Sequence, residues 1–238
     1  MKAVVLAAGL GKRLAAISAE KPKVLVKVGE KTLIEHNLDK LKRLGIKQIA
    51  LVIGYKGEMV KELLGKTVTY YQQKEQLGTA HAFHCAKDFI DKPFFLALNG
   101  DMFFTDPLTD FIRLNPSAIA VYPVKDASRY GRLEIKNNKL ISVKEKLAEP
   151  VPGFINAGVY LFPREVFSWI EKTPLSPRKE YEVTDTIQMM INAGWQFAAY
   201  ELKGFWRDIA YVSDIEEAQR AANGGRLARD EGHKERMG

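Results

Sequence analysis

Short apolar runs recur through the first half of the chain, and segments with helical periodicity lie between them. Strands that alternate with amphipathic helices are typical of βαβ units, so the pattern predicts an α/β protein with a mostly parallel sheet. The predicted strands span residues 4–7, 48–53, 68–72, 94–98 and 117–122. The predicted helices between them span residues 32–44, 58–64 and 79–89.

The pattern changes after Pro123, where shorter strand-like runs predict a more antiparallel half. Asp106 precedes Pro107, which favours a helix over residues 107–114 with Asp106 as its N-cap. The later predicted strands span residues 131–135, 140–145, 154–162 and 195–202, and the later predicted helices span 182–193 and 211–222. Residues 224–238 are glycine-broken and charged, so we expect one domain over residues 1–223 and a flexible tail.

Composition narrows the class of protein. A chain of 238 residues can bury the core of one α/β domain, and its single cysteine, Cys85, rules out an internal disulfide. No uncharged apolar run reaches the roughly 18 residues of a membrane span, and the N-terminus does not resemble a secretory signal. We therefore expect a soluble, cytoplasmic protein. The net charge of +7 is interleaved with acids, which favours an anionic substrate over nucleic acid.

The first apolar run leads directly into a small-residue loop with two cations, in the sequence KAVVLAAGLGKRL. Ala8, Gly9 and Gly11 allow a ligand to approach the backbone closely. Inward N–H groups together with the charges of Lys12 and Arg13 suit a phosphate chain. The spacing matches neither a Walker loop nor the dinucleotide fingerprint, and a strand-to-helix turn with solvated cations explains the stretch equally well.

Further motifs follow this loop in a fixed order. LAAGLGKRL is followed by KPK, and then by QKEQLGTAHA, NGD, YGRLE, KEK, NAGVYLF, EVTD and WRD. Up to about Ala222 this series resembles the sugar-1-phosphate nucleotidylyltransferase family. The resemblance implies a Rossmann-like, three-layer α/β/α fold with a mixed, mostly parallel sheet, in which residues 1–223 form the catalytic domain.

The resemblance also implies a reaction and its partners. The expected reaction joins an NTP, with UTP or dTTP favoured, to a sugar 1-phosphate and releases pyrophosphate. Mg²⁺ is the expected cofactor. The protein is expected to act as a monomer or homodimer without nucleic-acid or membrane partners.

The nucleotide contacts implied by the resemblance fall in two segments. In the first loop they are Leu6, Ala8, Gly9 and Gly11. In the second, Gln73 and the backbone at Gly78 and Thr79 would read a pyrimidine edge, because an amide both donates and accepts hydrogen bonds. Thr79 also suits the N-cap of the following helix. His81 and His84 have no partner at metal-ligand spacing and are interpreted as packing or surface residues.

Four charged residues are implied as the catalytic set, namely Arg13, Lys23, Asp101 and Asp208. Asp101 follows the apolar strand 94–98, and ligands of open parallel sheets bind beyond such strand ends. The resemblance makes Asp101 and Asp208 the Mg²⁺ ligands, Lys23 a cation near the α-phosphate and Arg13 a cation on the leaving pyrophosphate. On spacing alone, Lys23 also fits a surface lysine and Asp101 a turn residue.

The sugar-phosphate contacts implied by the resemblance lie in the antiparallel half and are Gly131, Glu145, Lys146, Asn156 and Glu182. Several other functions stay open. A related enzyme could act on another pair of substrates, as a mannose-1-phosphate guanylyltransferase or a cytidylyltransferase of a phosphorylated alcohol does. A non-catalytic nucleotide-binding regulatory protein is a further class. A glycosyltransferase would usually carry an Asp-x-Asp motif, whereas Phe103 stands at the position of the second acid.

Overall fold

The computed structural model of the protein describes residues 1–9, 11, 20–128, 130, 132–144 and 150–224. The strands of this part are β1 Lys2–Ala7, β2 Lys27–Val28, β3 Lys31–Thr32, β4 Gln48–Ile53, β5 Thr69–Gln72, β6 Phe94–Asn99, β7 Met102–Phe104, β8 Ala118–Val124, β9 Arg132–Lys136, β10 Lys139–Lys144, β11 Gly153–Pro163, β12 Phe197–Glu201 and β13 Trp206–Asp208. The α-helices are α1 Leu33–Arg43, α2 Gly57–Leu64, α3 Thr79–Cys85, α4 Val166–Ile170, α5 Val183–Asn192 and α6 Val212–Ala222.

One large sheet organises the described residues. Its nine strands follow the order β5-β4-β1-β6-β11-β8-β12-β10-β9. The strands β5, β4, β1 and β6 pair in parallel, and all strands of this sheet run in the same direction except β10 and β11. The predicted α/β class with a mixed, mostly parallel sheet is therefore confirmed, and so is the more antiparallel second half.

Helices cover both faces of this sheet, as three layers require. Alternate residues of β1 point to opposite faces, so that Val5 joins one buried cluster and Val4 joins the other. The first cluster receives apolar side chains from α1 and α2, and the second receives them from α3, α4 and α5. A third, smaller cluster packs Ala218 of α6 against Val26 and Ile209.

The first helix illustrates why the sequence folds as predicted. Its apolar face, expected over residues 32–44, is the buried face of α1. The Glu35 N–H donates to the Thr32 hydroxyl at 3.3 Å, and the Thr32 N–H donates to the Glu35 carboxylate at 2.8 Å. This capping box satisfies two backbone donors that would otherwise lack partners at the helix start.

The helix expected over residues 107–114 is wrong, because only a short 3-10 turn forms at Phe111–Arg113. Asp106 instead accepts hydrogen bonds from the N–H groups of Leu108 and Lys203, each at 2.7 Å. Its carboxylate thus ties the loop after β7 to the chain after β12. A buried tertiary contact outweighs the local tendency of Asp-Pro to begin a helix.

Two further expectations concern the chain as a whole. Among the described residues, no helix has the length and apolar character needed to cross a membrane. The tail expected over residues 224–238 lies outside the described residues except for Gly224. The single domain over residues 1–223 stays a prediction.

Candidate active site

The carboxyl ends of the parallel strands converge on one edge of the sheet. The Gly100 N–H, just after β6, donates to the Leu6 carbonyl of β1 at 2.8 Å. A Cβ atom on Gly100 would lie 2.4 Å from that carbonyl, so the approach requires glycine. A cavity of about 520 Å³ opens beyond these strand ends. The predicted site residues that line it are Leu6, Ala8, Gly9, Gly11, Lys23, Gln73, Gly78, Thr79, Asp101, Glu182 and Asp208.

Lys23, Asp101 and Asp208 all line this cavity and form a charged centre. The Lys23 Nζ atom lies 2.8 Å from the Asp101 Oδ2 atom and 2.7 Å from the Asp208 Oδ1 atom. Burial alone would lower the pKa of Lys23, but the two carboxylates outweigh that effect and raise the pKa above its ordinary value. Lys23 is therefore a permanent cation at physiological pH.

Strand pairing brings the two carboxylates of this centre together. In the short antiparallel pair of β13 with β7, Asp208 lies opposite Met102, the residue after Asp101. The Ile209 N–H also donates to the Asp101 carbonyl at 3.2 Å. In the structure Asp208 pairs with Lys23, whereas Arg207 pairs with Glu217.

A buried asparagine on α1 supports the turn that carries Asp101. The Asn37 amide nitrogen lies 3.3 Å from the Gly100 carbonyl and 3.4 Å from the Met102 carbonyl. Asn37 is 1% exposed. Sequence reasoning missed this residue, although a polar side chain between Ile34 and Leu41 on the apolar helix face was a usable signal.

Gln73, which is 3% exposed, also lines the larger cavity. Its Nε2 atom donates to the Gly78 carbonyl at 3.0 Å and lies 3.0 Å from the Nδ1 atom of His81. The interpretation of His81 as a packing or surface residue missed this contact. His84, by contrast, contacts Glu171 at the surface, with 3.2 Å between its Nε2 atom and the carboxylate.

The N-terminal ends of α3 and α5 contact each other. Gly78 is the residue at the N-cap of α3 with φ of 98°, and a Cβ atom there would lie 2.6 Å from the Tyr181 carbonyl oxygen. The Thr79 hydroxyl accepts a hydrogen bond from the Val183 N–H at 3.0 Å. The expectation that Thr79 is the N-cap of its own helix is therefore wrong, because its hydroxyl satisfies a donor at the start of α5.

Two predicted sugar contacts, Glu182 and Asn156, also line cavities of this site. The Glu182 carboxylate, whose side chain is 11% exposed, accepts a hydrogen bond from the Arg178 guanidinium at 2.8 Å. Burial raises the pKa of Glu182, although Arg178 acts in the opposite direction. Asn156 lines a second cavity of about 170 Å³, which shares Asp101 and Asp208 with the first. Its amide nitrogen donates to the Tyr160 hydroxyl at 2.7 Å.

Some of the predicted site residues lie outside the described residues. Sequence reasoning also missed some residues that line the two cavities. Arg13, Gly131, Glu145 and Lys146 lie outside the described residues. Gln76 was missed; it lines the larger cavity, and its amide donates to the Ala8 carbonyl at 2.8 Å. Asn99 was also missed; it lines both cavities, directly before the Gly100 turn.

The described lining of the larger cavity carries two cations, Lys23 and Arg178, and four acids, Asp101, Glu180, Glu182 and Asp208. Within the described residues, no group of three or more His, Cys, Asp or Glu side chains could hold a metal ion by itself. Asp101 and Asp208 form a pair of carboxylates, and the small-residue loop lines the same cavity through Ala8, Gly9 and Gly11. The position of this cavity, at the carboxyl ends of parallel strands, is where open α/β proteins typically bind their ligands, nucleotides among them.

The chain belongs to the nucleotidyl transferase family, whose model matches residues 2–224. It is 34% identical over 223 residues to the bifunctional protein GlmU of Methanocaldococcus jannaschii, covering 92% of this chain and 54% of that protein. The chain thus spans about half the length of the GlmU relatives it matches. The suspected resemblance to sugar-1-phosphate nucleotidylyltransferases is confirmed at the level of the family.

Two relatives match over nearly their whole length. One is the UTP–glucose-1-phosphate uridylyltransferase AglF of Haloferax volcanii, 35% identical over 232 residues, covering 92% of this chain and 95% of AglF. The other is the crystal structure of a Bacillus anthracis protein assigned as a glucose-1-phosphate thymidylyltransferase. It superposes with a TM-score of 0.86 at 28% identity, covering 96% of this chain and 97% of that chain.

Proposed function

We propose that the protein transfers a nucleotidyl group from an NTP, with UTP or dTTP favoured, to a sugar 1-phosphate and releases pyrophosphate. One observation carries this proposal: a single cavity is lined both by the Lys23, Asp101 and Asp208 centre and by Gln73. The names of AglF and of the Bacillus anthracis protein support the same substrate classes.

The proposed chemistry requires no general base. The second pKa of a phosphate monoester is about 6, so a sugar phosphate is already an anionic nucleophile at neutral pH. No histidine, cysteine or serine is among the described residues that line the cavity. Catalysis would come from positioning and charge neutralisation, with Lys23 stabilising negative charge near the α-phosphate. Arg13 stays a predicted cation for the leaving pyrophosphate.

The pair Asp101 and Asp208 suits a magnesium ion. Mg²⁺ in phosphate-transferring sites is typically held by one or two carboxylates together with substrate phosphate oxygens. Both carboxylates already direct an oxygen at one cation, the Lys23 ammonium, at 2.8 and 2.7 Å. These two residues would therefore hold Mg²⁺, which would supply charge neutralisation of the phosphate oxygens.

The part of the larger cavity that Gln73 lines would bind the base of the nucleotide. The Gln73 amide nitrogen donates one of its two hydrogens to the Gly78 carbonyl, and its Oε1 atom could accept a hydrogen bond from a ring N–H. The Gly78 N–H would be the donor to a ring carbonyl. Uracil and thymine present this combination, whereas cytosine lacks a proton on N3.

The second cavity and the wall beside Glu182 would accept the sugar. Glu182 and Asn156 are polar groups on these walls, and sugar hydroxyls are recognised by such groups. Gly131, Glu145 and Lys146 stay predicted contacts for the sugar phosphate. A cytoplasmic location and a monomeric or homodimeric state likewise stay predictions.

A pyrophosphate-release screen tests the proposed function. Purified protein with Mg²⁺ would be assayed with UTP, dTTP, CTP, GTP and ATP, each against a panel of hexose 1-phosphates. We expect release that requires both substrates and is fastest with UTP or dTTP. Clear preference for CTP or GTP would contradict the pyrimidine preference, and the absence of release with every pair would contradict nucleotidylyl transfer itself.

A further inference from the structure

The amide nitrogen of Gln73 has two hydrogens and two acceptors. One acceptor is the Gly78 carbonyl, and the other is the Nδ1 atom of His81, each 3.0 Å from Nε2. A carbonyl oxygen cannot donate a hydrogen bond, so the Gly78 contact fixes which end of the amide is nitrogen. His81 then takes the second hydrogen, and the amide nitrogen is fully occupied by the protein.

We propose that His81 is a positioning residue that sets the base specificity of the site. By accepting the second hydrogen of Gln73, it leaves the amide oxygen as the only group that Gln73 offers to the cavity. A base with a ring N–H at that edge, such as uracil or thymine, is accepted, and cytosine is rejected. This inference rests on the proposed function, because it requires that the cavity bind a nucleotide beside Gln73.

The surroundings of His81 favour the neutral imidazole that this role requires. An imidazolium has two N–H donors and could not accept from Gln73. Burial and the neighbouring His84 lower the pKa of His81, whereas Glu75 acts in the opposite direction. The lowered pKa favours the neutral ring, and the contact with Gln73 requires that the ring proton lie on Nε2, so that Nδ1 can accept.

His81 would act through Gln73 and not by contact with the nucleotide. His81 is absent from the described lining of the cavity, whereas Gln73, Gly78 and Thr79 are part of it. Without the histidine acceptor, one hydrogen of a buried amide loses its partner, and such an unpaired donor is costly. With Gly78 as its one remaining acceptor, the amide nitrogen is held by a single hydrogen bond, and the side chain can exchange that bond for one in which an N–H points at the unprotonated N3 of cytosine.

Two matched variants distinguish the hydrogen-bonding role of His81 from a contribution to packing alone. In His81→Phe the ring remains but the acceptor is lost, while His81→Asn places a carbonyl oxygen near the original Nδ1 position. Dissociation constants for UTP and CTP would be measured by calorimetry with Mg²⁺, and thermal unfolding would monitor the fold. We expect wild-type protein to bind UTP at least about tenfold more tightly than CTP, as one unpaired buried polar group implies.

The two variants should then diverge. His81→Phe should reduce the UTP over CTP ratio to within about threefold, a free-energy difference below one hydrogen bond, and His81→Asn should restore the wild-type ratio. A wild-type ratio in His81→Phe would overturn the inference, as would equal loss of selectivity in both variants. Because binding is measured without turnover, these outcomes are independent of the pyrophosphate-release screen, whose failure would contradict the proposed reaction alone.

A measurement on the unaltered protein keeps the inference testable if His81→Phe does not fold. The ¹⁵N NMR shifts of the His81 imidazole report which ring nitrogen carries the proton. We expect the Nε2–H tautomer with a hydrogen-bonded, unprotonated Nδ1 atom at neutral pH. A proton on Nδ1 would overturn the inference, because Nδ1 would then be a donor facing a donor.

Discussion

The carboxylates of Asp101 and Asp208 place two negative charges beside the Lys23 ammonium group. An amide in place of either carboxylate keeps the size of the side chain but cannot supply its charge to Mg²⁺. We expect Asp101→Asn and Asp208→Asn each to lower kcat about a hundredfold or more, the scale for loss of one electrostatic group at such a site. The measurement is pyrophosphate release as a function of Mg²⁺ concentration.

A remote acid provides the control for these two variants. Asp110 is exposed and pairs only loosely with Lys203, at 3.4 Å between Nζ and Oδ2. Asp110→Asn should therefore retain wild-type turnover. If Asp101→Asn or Asp208→Asn keeps near-wild-type activity at limiting Mg²⁺, that carboxylate does not hold the metal.

Lys23 is the permanent cation of the site, and its loss should affect the chemical step. Lys23→Met keeps the length of the side chain without its charge, so we expect kcat to fall far more than the KM for UTP rises. The exposed Lys27 lies four residues later, and Lys27→Met is the matched control. Steady-state kinetics separate the two parameters. An effect of Lys23→Met on KM alone would contradict the assigned role.

The raised pKa of Lys23 also fixes the sign of a pH effect. A lysine whose pKa is higher in the folded than in the unfolded protein stabilises the fold below its ordinary pKa of 10.5. That contribution is lost only as the pH rises through the higher folded value. Unfolding between pH 6 and 9 should therefore show no loss of stability that depends on Lys23.

At the scale of elements, the start of α5 depends on a side chain of α3. The Thr79 hydroxyl accepts from the Val183 N–H, and loss of a helix cap costs about 0.5 to 2 kcal/mol. We expect Thr79→Val to lower the free energy of unfolding by about 1 kcal/mol. Urea denaturation measures the change. Thr79→Ser keeps the hydroxyl and should stay near wild type, so equal losses in both variants would contradict the cap.

The sequence predicted most elements but only part of the site. Periodicity located β1, β4, β6 and α1 within about two residues, because their burial repeats along the chain. Asp101 was expected at the edge of the sheet, since strand ends follow from the same pattern. The β7–β13 pair that brings Asp208 to it joins segments far apart in the sequence, and no local signal encodes that register. Only the family resemblance joined the two aspartates.

The predictions for Asp106 and His81 failed for the same physical reason. Asp106 has the local sequence of a helix cap, but its carboxylate accepts from Lys203 across the fold. His81 looks like a helix-surface residue because its partner, Gln73, lies on the preceding segment at a separation that has no helical period. In both cases a side-chain hydrogen bond between elements decides the role, and periodicity carries no information about such bonds.

At the scale of the whole molecule, the cavity joins segments from both halves of the chain. Its walls include the loop after β1 in the parallel half, and Arg178, Glu182 and Asp208 near the C-terminal end. A nucleotide that contacts segments from both halves should bind the folded protein and not the unfolded chain. Binding should therefore stabilise the folded state. At about 100 times its dissociation constant, a ligand adds about 2.7 kcal/mol to stability.

Thermal unfolding measures this linkage. For a domain of this size we expect Mg²⁺ with saturating UTP to raise Tm by roughly 5 to 10 °C. CTP should give a smaller shift, and Gln73→Ala should reduce the difference between the two nucleotides. Equal shifts with UTP and CTP in the wild-type protein would show that the base is not read at Gln73.

The most direct measurement of the central claim follows the α-phosphorus. Protein with Mg²⁺, [α-³²P]UTP and glucose 1-phosphate would be resolved by thin-layer chromatography after phosphatase treatment. The proposed transfer predicts a labelled, phosphatase-resistant UDP-sugar formed in equal amount to pyrophosphate, and its loss in Asp101→Asn. Label recovered only as inorganic phosphate after the phosphatase treatment, or a phosphatase-resistant product that does not depend on glucose 1-phosphate, would contradict nucleotidylyl transfer to a sugar phosphate at this site.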